Sequence, residues 1–272
     1  MSIQLGKPNL EFDGELIEMF NPMDYPIVSV LVSLPIFWFS AWFGASCRRR
    51  YGNVKEGEDS DFFGIILGAS LTLLGLIIAF SFSMAVSRYD QRKSYEEQEA
   101  NAIGTEYVRA NLLPSSDATK VHKLLKSYLD QRIIYYETRN KNELSQINTR
   151  TSQLQTELWS AVSTSVTTLP MPMATFILGG MNDVLNSQGY TQAAWWNRIP
   201  LGAWVLLFTI SILCNILLGY DSPARHPVFL LVLPLVLSIS IFLIADIDTP
   251  RRGVIRVRPQ NLVSLAESLH SQ

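Results

Sequence analysis

Apolar residues along this chain gather into four dense runs, and a long stretch between the second and third runs mixes polar and apolar positions at helical spacing. The runs are roughly Pro26 to Ser46, Phe62 to Val86, Ile199 to Tyr220 and Pro227 to Ala245. Crossing a hydrocarbon core takes about 20 largely apolar residues, so each run predicts a transmembrane helix. None of them carries an ionisable side chain in its middle, the mark that proton relays and voltage sensors bear.

The intervening stretch predicts several helices. The first continues out of the second span to about Leu113, the next covers Ala118 to Arg139, and a third covers Asn142 to Thr167. The breaks are "LLPSSD", where Pro114 ends one helix and Ser115, Ser116 and Asp117 offer caps, and "TLPMP" around Pro170 and Pro172. A fourth helix is expected from about Met173, bent at "GGMND" (179–183). Within the middle helix Val121, Leu124, Leu125, Tyr128, Ile133 and Tyr136 form an apolar face. Lys120, Lys123, Lys126, Asp130 and Arg132 are assigned to the opposite, solvated face. Beyond the fourth span, Val254 to Arg258 alternates as a strand or an extended arm would, and Leu262, Leu265 and Leu269 predict a brief amphipathic helix.

The exit from the second span is unusual. In "SFSMAVSRYDQRKSYEEQEANAIGTEY" (81–107) apolar sequence passes into charge with no proline and a single late glycine, Gly104. The pattern predicts one helix from Phe62 to about Leu113, roughly 75 Å long at about 1.5 Å per residue, while the bilayer ends near Val86.

The fold expected is therefore all-α: four transmembrane helices, a helical extramembrane domain between spans two and three, and a second span that continues as a long helix. By segment the chain reads as a polar acidic tail (1–25), spans one and two with a short basic loop (26–86), a helical soluble domain (87–198), spans three and four (199–245) and a basic tail (246–272).

Composition agrees: of 272 residues 48% are hydrophobic and 17% charged, with mean hydropathy +0.16 and net charge −2. The acidic start, with Glu11, Asp13, Glu15, Glu18 and Asp24 against Lys7, is the reverse of a cleavable signal's basic start, so the first span is expected to stay as an anchor. Close to span ends, one side of the membrane carries Lys7, Arg88, Arg92, Lys93, Arg198, Arg251, Arg252, Arg256 and Arg258. The other carries Arg48, Arg49, Arg50, Lys55 and Arg225. This balance places the domain and both termini in the cytoplasm, although the acidic tail and "RRR" around the first span pull the other way.

Candidate chemistry is sparse. Glu96, Glu97, Glu99 and Glu106 are assigned to a solvated, salt-bridged helix face, with Lys93 and Glu97 as an i, i+4 pair. His122, His226 and His270 are scattered, Cys47 and Cys214 suggest neither a disulfide nor a metal site, and no phosphate loop, nucleophile elbow or zincin motif occurs. No enzyme activity, cofactor, metal or nucleic-acid partner is expected. Trp195 and Trp196, just before the third run, suit an interfacial aromatic belt.

"SFSMAVSRYDQRKSYEEQEANAIGTEYVRANLLP", "GMNDVLNSQGYTQAAWWNRIP" and "LIADIDTPRRGVIRVRPQNLVSL" resemble a bacterial family of membrane proteins described as bestrophin-like, over nearly all of residues 60–265. Bestrophins are pentameric anion channels with four spans per subunit, a helical cytoplasmic region between spans two and three, and a pore lined mainly by the second span with an apolar neck. The resemblance thus implies a homo-oligomer in a bacterial inner membrane, pentameric by analogy, with anions as its cargo. It also implies departures. The Asn-Pro-Phe-Gly element that bestrophins carry after the fourth span has only a loose echo in Asp248 to Gly253. The calcium-binding acidic cluster near that point is reduced to Asp246 and Asp248, too few oxygens for a hard cation.

With the second span as pore wall, Ser70, Thr72, Ser81 and Ser83 are candidate hydroxyl donors to an anion, and Leu73, Ile77 and Phe80 candidates for a dewetting constriction. Arg88, Arg92 and Lys93 are candidates for a basic collar at the pore mouth, with pairing to lipid headgroups as the other reading. Gly64 and Gly68 are candidate helix-packing positions, within one subunit or between subunits. The other function left open is a non-conducting membrane scaffold or sensor whose helical domain binds a partner protein.

Overall fold

The computed structural model describes residues 25–51, 58–221 and 229–271. The acidic tail, Lys55, Arg225 and His226 lie outside the described residues. The helices are α1 (Pro26–Tyr51), α2 (Glu58–Arg109), α3 (Ser115–Glu137), α4 (Lys141–Ser165), α5 (Met171–Trp196), α6 (Leu201–Asp221), α7 (Phe229–Asp248) and α8 (Gln260–His270). No strand occurs among the described residues, and 251–259 form turns and an extended arm. Four helical stretches are long and apolar enough to cross a membrane; they begin at Pro26, Phe62, Met171 and Leu230, the third being interrupted at 197–200.

α2 is the long helix that the pattern at 81–107 predicts, 52 residues without a break. It ends in a 3₁₀ turn, Ala110–Leu112, and Leu113 then adopts an extended conformation (φ −77°, ψ 161°) ahead of Pro114, as a residue preceding proline must. The expected serine and aspartate caps at α3 are not used. Pro114 holds the cap position without a side-chain bond, and Asp117 acts only as a first-turn charge on the helix dipole. α4 is capped conventionally, with the Asn140 side chain accepting the Asn142 N–H at 3.0 Å.

The chain separates into two compact units, one comprising residues 1–83 and 199–254 and the other residues 84–198 and 255–272. In the first, α1 packs against α6 and α7. The contact between α1 and α6 is backbone on backbone. A Cβ on Gly44 would overlap the carbonyl oxygen of Ile216, and one on Gly219 would overlap that of Ala41. Glycine is required at both positions because the helices approach so closely. Ser33, Phe37, Ser40, Ala41 and Ala45 line the same buried face of α1, and Arg48 donates to the Tyr220 carbonyl oxygen at 3.0 Å, a cation at the C-terminal end of α6.

The second unit is a helical domain with its own core, built from Ile103, Val121, Leu125, Leu158, Ile177 and Leu262 among others. α3 packs on α4 and α8, and α4 packs on α5. The apolar face expected of α3 is present, but Arg132 belongs to it: its side chain is fully buried rather than solvated. "GGMND" does not interrupt α5, which runs unbroken through it. Gly180 is there because a Cβ would strike the Glu106 and Arg109 side chains, a question of close approach and not of backbone freedom. Trp195 is also core, packed against Tyr135 and Tyr136 with ring centroids 5.3 and 5.4 Å away, whereas Trp196 is exposed. The belt reading therefore fails for Trp195, whose ring is claimed by the two tyrosines.

Candidate functional site

The pore candidates all lie on the membrane part of α2. Its buried positions there are Leu67, Leu74, Ser81 and Ala85, at spacings of seven, seven and four, which is one narrow seam. Only 11% of the most apolar window of this helix is buried, against 44% for α7. Most of the apolar surface of α2 is thus left for lipid or other copies of the chain to cover.

The candidates separate into groups. Ser70, Leu73, Ile77 and Phe80 follow one another at spacings of three and four and share one stripe, along which Leu73 and Phe80 are exposed and Ser70 and Ile77 half-buried. Thr72 and Ser83 are exposed, eleven positions apart, on a different face. The Thr72 hydroxyl donates to the Gly68 carbonyl oxygen at 2.9 Å. Ser81 is in the buried seam. Gly64, Gly68 and Gly75 border open space, with nothing within 4 Å of an added Cβ. Close packing inside the subunit is therefore carried by Gly44 and Gly219, which sequence reasoning did not single out, and not by Gly64 and Gly68.

Farther along α2, inside the helical domain, the buried stripe turns ionic. Arg92, Glu96, Glu99, Ile103, Glu106 and Ala110 recur at alternating spacings of four and three, and all are buried. The expected solvated carboxylate face is confined to Glu97 and its exposed neighbours; Glu96, Glu99 and Glu106 face inward. Arg92, expected at a pore mouth, instead donates to the carbonyl oxygens of Ala194 (3.3 Å) and Asn197 (3.4 Å) at the C-terminal end of α5. There its charge meets the negative end of that helix dipole. Arg88 is half-buried and Lys93 exposed.

Each carboxylate has a distinct environment. Glu96 accepts the backbone N–H groups of Asn261 (2.9 Å) and Leu262 (3.0 Å) and the Asn261 side-chain amide (2.6 Å), so it caps the N-terminus of α8 from a helix far away in sequence. Glu99 is paired with the Arg132 guanidinium and accepts from the Tyr136 hydroxyl (3.2 Å) and Thr191 hydroxyl (3.1 Å). Burial opposes the Arg132 charge, but the Glu99 carboxylate, helped by Tyr128 and Tyr136, offsets it and keeps the guanidinium protonated. Burial, reinforced by Glu99, pushes the Tyr136 phenol well above the ordinary tyrosine range. Glu106 has only Arg109, 3.8 Å away, and neither of its oxygens receives a hydrogen bond. Burial pushes its carboxyl up to about 8, against the pull of Arg109 and with some help from Asp183.

At the end of α7, Asp248 accepts the Ile199 N–H at 3.2 Å and Asp246 accepts the Val254 N–H at 2.7 Å. Gly253 is needed where the turn folds back, since a Cβ would overlap the Asp246 carbonyl oxygen. Asp246 thus stabilises the post-span turn, and Asp248 ties the end of α7 to the segment that leads into α6. Among the described residues no three His, Cys, Asp or Glu side chains gather as a metal site.

The arrangement can be set beside known proteins. The bestrophin-like domain family matches residues 34–262. No curated protein matches the sequence significantly. Among solved structures, a single-substitution variant of a bacterial bestrophin homologue from Klebsiella pneumoniae superposes with a TM-score of 0.64 at 12% identity, covering 90% of this chain and 98% of that one. Another crystal structure of the Klebsiella pneumoniae homologue gives 0.64 at 11% identity, covering 90% and 97%. A crystal structure described as a membrane protein gives 0.66 at 10% identity, covering 89% and 97%. At these identities the likeness is one of fold.

Proposed function

This chain belongs to the bestrophin-like family, and from that premise we propose that it is the subunit of an oligomeric, anion-permeable channel whose pore is lined by the membrane part of α2. The observation that carries the reading is the exposure of that helix. It buries one narrow seam in its own subunit and leaves an apolar stripe and a glycine-bearing face open. A lone helix cannot conduct, but a ring of copies supplies both a wall and a packing surface.

In this reading the stripe of Ser70, Leu73, Ile77 and Phe80 is the pore wall, with Leu73, Ile77 and Phe80 as the constriction and Ser70 as a hydroxyl donor to the passing anion. Gly64 and Gly68 face the neighbouring subunit, where five copies close the ring. Arg88 and Lys93 raise the local anion concentration at one mouth, a role that burial denies to Arg92. The protein sits in a bacterial inner membrane with the helical domain and both termini in the cytoplasm, the side favoured by its basic span flanks.

Purified protein in detergent is expected to have the mass of a closed ring, and liposomes containing it are expected to pass chloride. Stable oligomers that support no flux would leave the chain a scaffold or sensor, and monomers alone would end the channel reading.

A further inference from the structure

Three carboxylates lie on the buried stripe of α2 within the helical domain, and two are surrounded by donors. Glu96 has three N–H donors, and Glu99 has an arginine and two hydroxyls. Glu106 has none. It has no exposed side-chain surface, neither oxygen receives a hydrogen bond, and its one counter-ion is 3.8 Å away, beyond hydrogen-bonding range. That counter-ion is itself drawn aside, with the Arg109 guanidinium stacked 4.1 Å from the centre of the Phe176 ring. The backbone of α5 lies hard against the carboxyl at Gly180, where a Cβ would overlap it. A carboxylate buried without donors is heavily penalised, whereas a carboxylic acid in the same place is tolerated.

We propose that Glu106 is a proton-binding site of the helical domain, occupied at neutral pH, and that release of the proton changes how α5 packs on α2 at Gly180. The charged groups around it are few. Arg109 is on its own helix, and Asp183 is the only charged residue on α5. On α3, His122 is stacked on Tyr107 and bonded to its carbonyl oxygen at 2.9 Å. Glu99, two turns away along α2, is paired with Arg132 of α3. Burial holds the Glu106 acid form to about pH 8, with Arg109 opposing and Asp183 assisting. Glu106 is twenty residues past the end of the apolar run at Val86, in the domain unit and outside the membrane-spanning segment.

The test is infrared difference spectroscopy of the full chain in nanodiscs, following the carbonyl stretch of protonated carboxyls as pH is raised. Wild type should show a band at pH 7 that disappears with a midpoint near 8, and Glu106→Gln should lack it. Asp183→Asn, a change at an exposed position, should move the midpoint to lower pH by removing a nearby negative charge. The proposal is overturned if Glu106→Gln removes no band, or if the midpoint lies below 6. Should Glu106→Gln fail to fold, Asp183→Asn decides alone: an unchanged or raised midpoint also overturns it.

Discussion

The Glu99 carboxylate and the Arg132 guanidinium, one on the long helix and one on α3, form an ion pair in which neither side chain has any exposed surface. Tyr136 and Thr191 complete the shell of the carboxylate, and the Arg132 guanidinium lies 4.3 Å from the Tyr135 ring centre. Removing one partner strands the other charge in the core. Arg132→Ala and Glu99→Ala should each cost about 3–5 kcal/mol, the usual result of breaking a buried pair. Replacing both with apolar residues of similar volume should cost much less. Chemical unfolding of the full chain, followed through helical circular dichroism, measures this; additive losses in the double variant would mean that the pair is not coupled.

The glycines divide in the same testable way. Gly44→Leu and Gly219→Leu drive a side chain into the opposing backbone and should prevent α1 and α6 from packing, with loss of folded protein. Gly64→Leu and Gly68→Leu meet open space in the subunit, so folding should survive and only the oligomer should loosen. Size-exclusion chromatography with mass detection separates the two outcomes. Monomer unfolding in the Gly64 variant would contradict the assignment.

Much of this was legible in the sequence. The four apolar runs, the unbroken helix through residues 81–107 and the proline-marked ends of the domain helices follow from length, period and turn chemistry acting locally. The ionic stripe was misread because charge normally marks a solvated face. Glu96 and Glu99 share a helix face with Ile103, Glu106 and Ala110 at the same spacings, and that continuity was the available signal. What no local pattern contains is the identity of the partners. Asn261 meets Glu96 from 165 positions away and Thr191 meets Glu99 from 92. Likewise Gly44 and Gly219 are ordinary in isolation and become essential only when their two backbones meet.

Stability should depend on pH through Glu106, and the sign follows from the direction of its shift. The folded state holds the proton up to about pH 8, whereas the unfolded chain releases it near the ordinary value of 4.5. Between those limits the folded state binds more protons than the unfolded one, so stability falls as pH rises and levels off above 8. The contribution of Glu106 is fully present only below about 4.5. Glu106→Gln should flatten this part of the profile and be the more stable protein at pH 8.5. Unfolding midpoints across pH 5 to 9 test it; parallel profiles for the two proteins would count against the assignment.

Conduction, finally, should respond to one stripe of α2 and not to the other. Leu73, Ile77 and Phe80 are spaced so that their side chains stack along one line of the helix. In a narrow ring they would expel water and so oppose ion entry. Ile77→Ser and Phe80→Ala should hydrate or widen that passage and raise chloride flux into liposomes several-fold at equal protein density. Thr72→Val should change little, because the Thr72 hydroxyl is already bonded to the Gly68 carbonyl oxygen and lies on a different face. If Thr72→Val altered flux while Ile77→Ser did not, the pore wall would be the Thr72 and Ser83 face. If neither did, α2 would not line the conducting path at all.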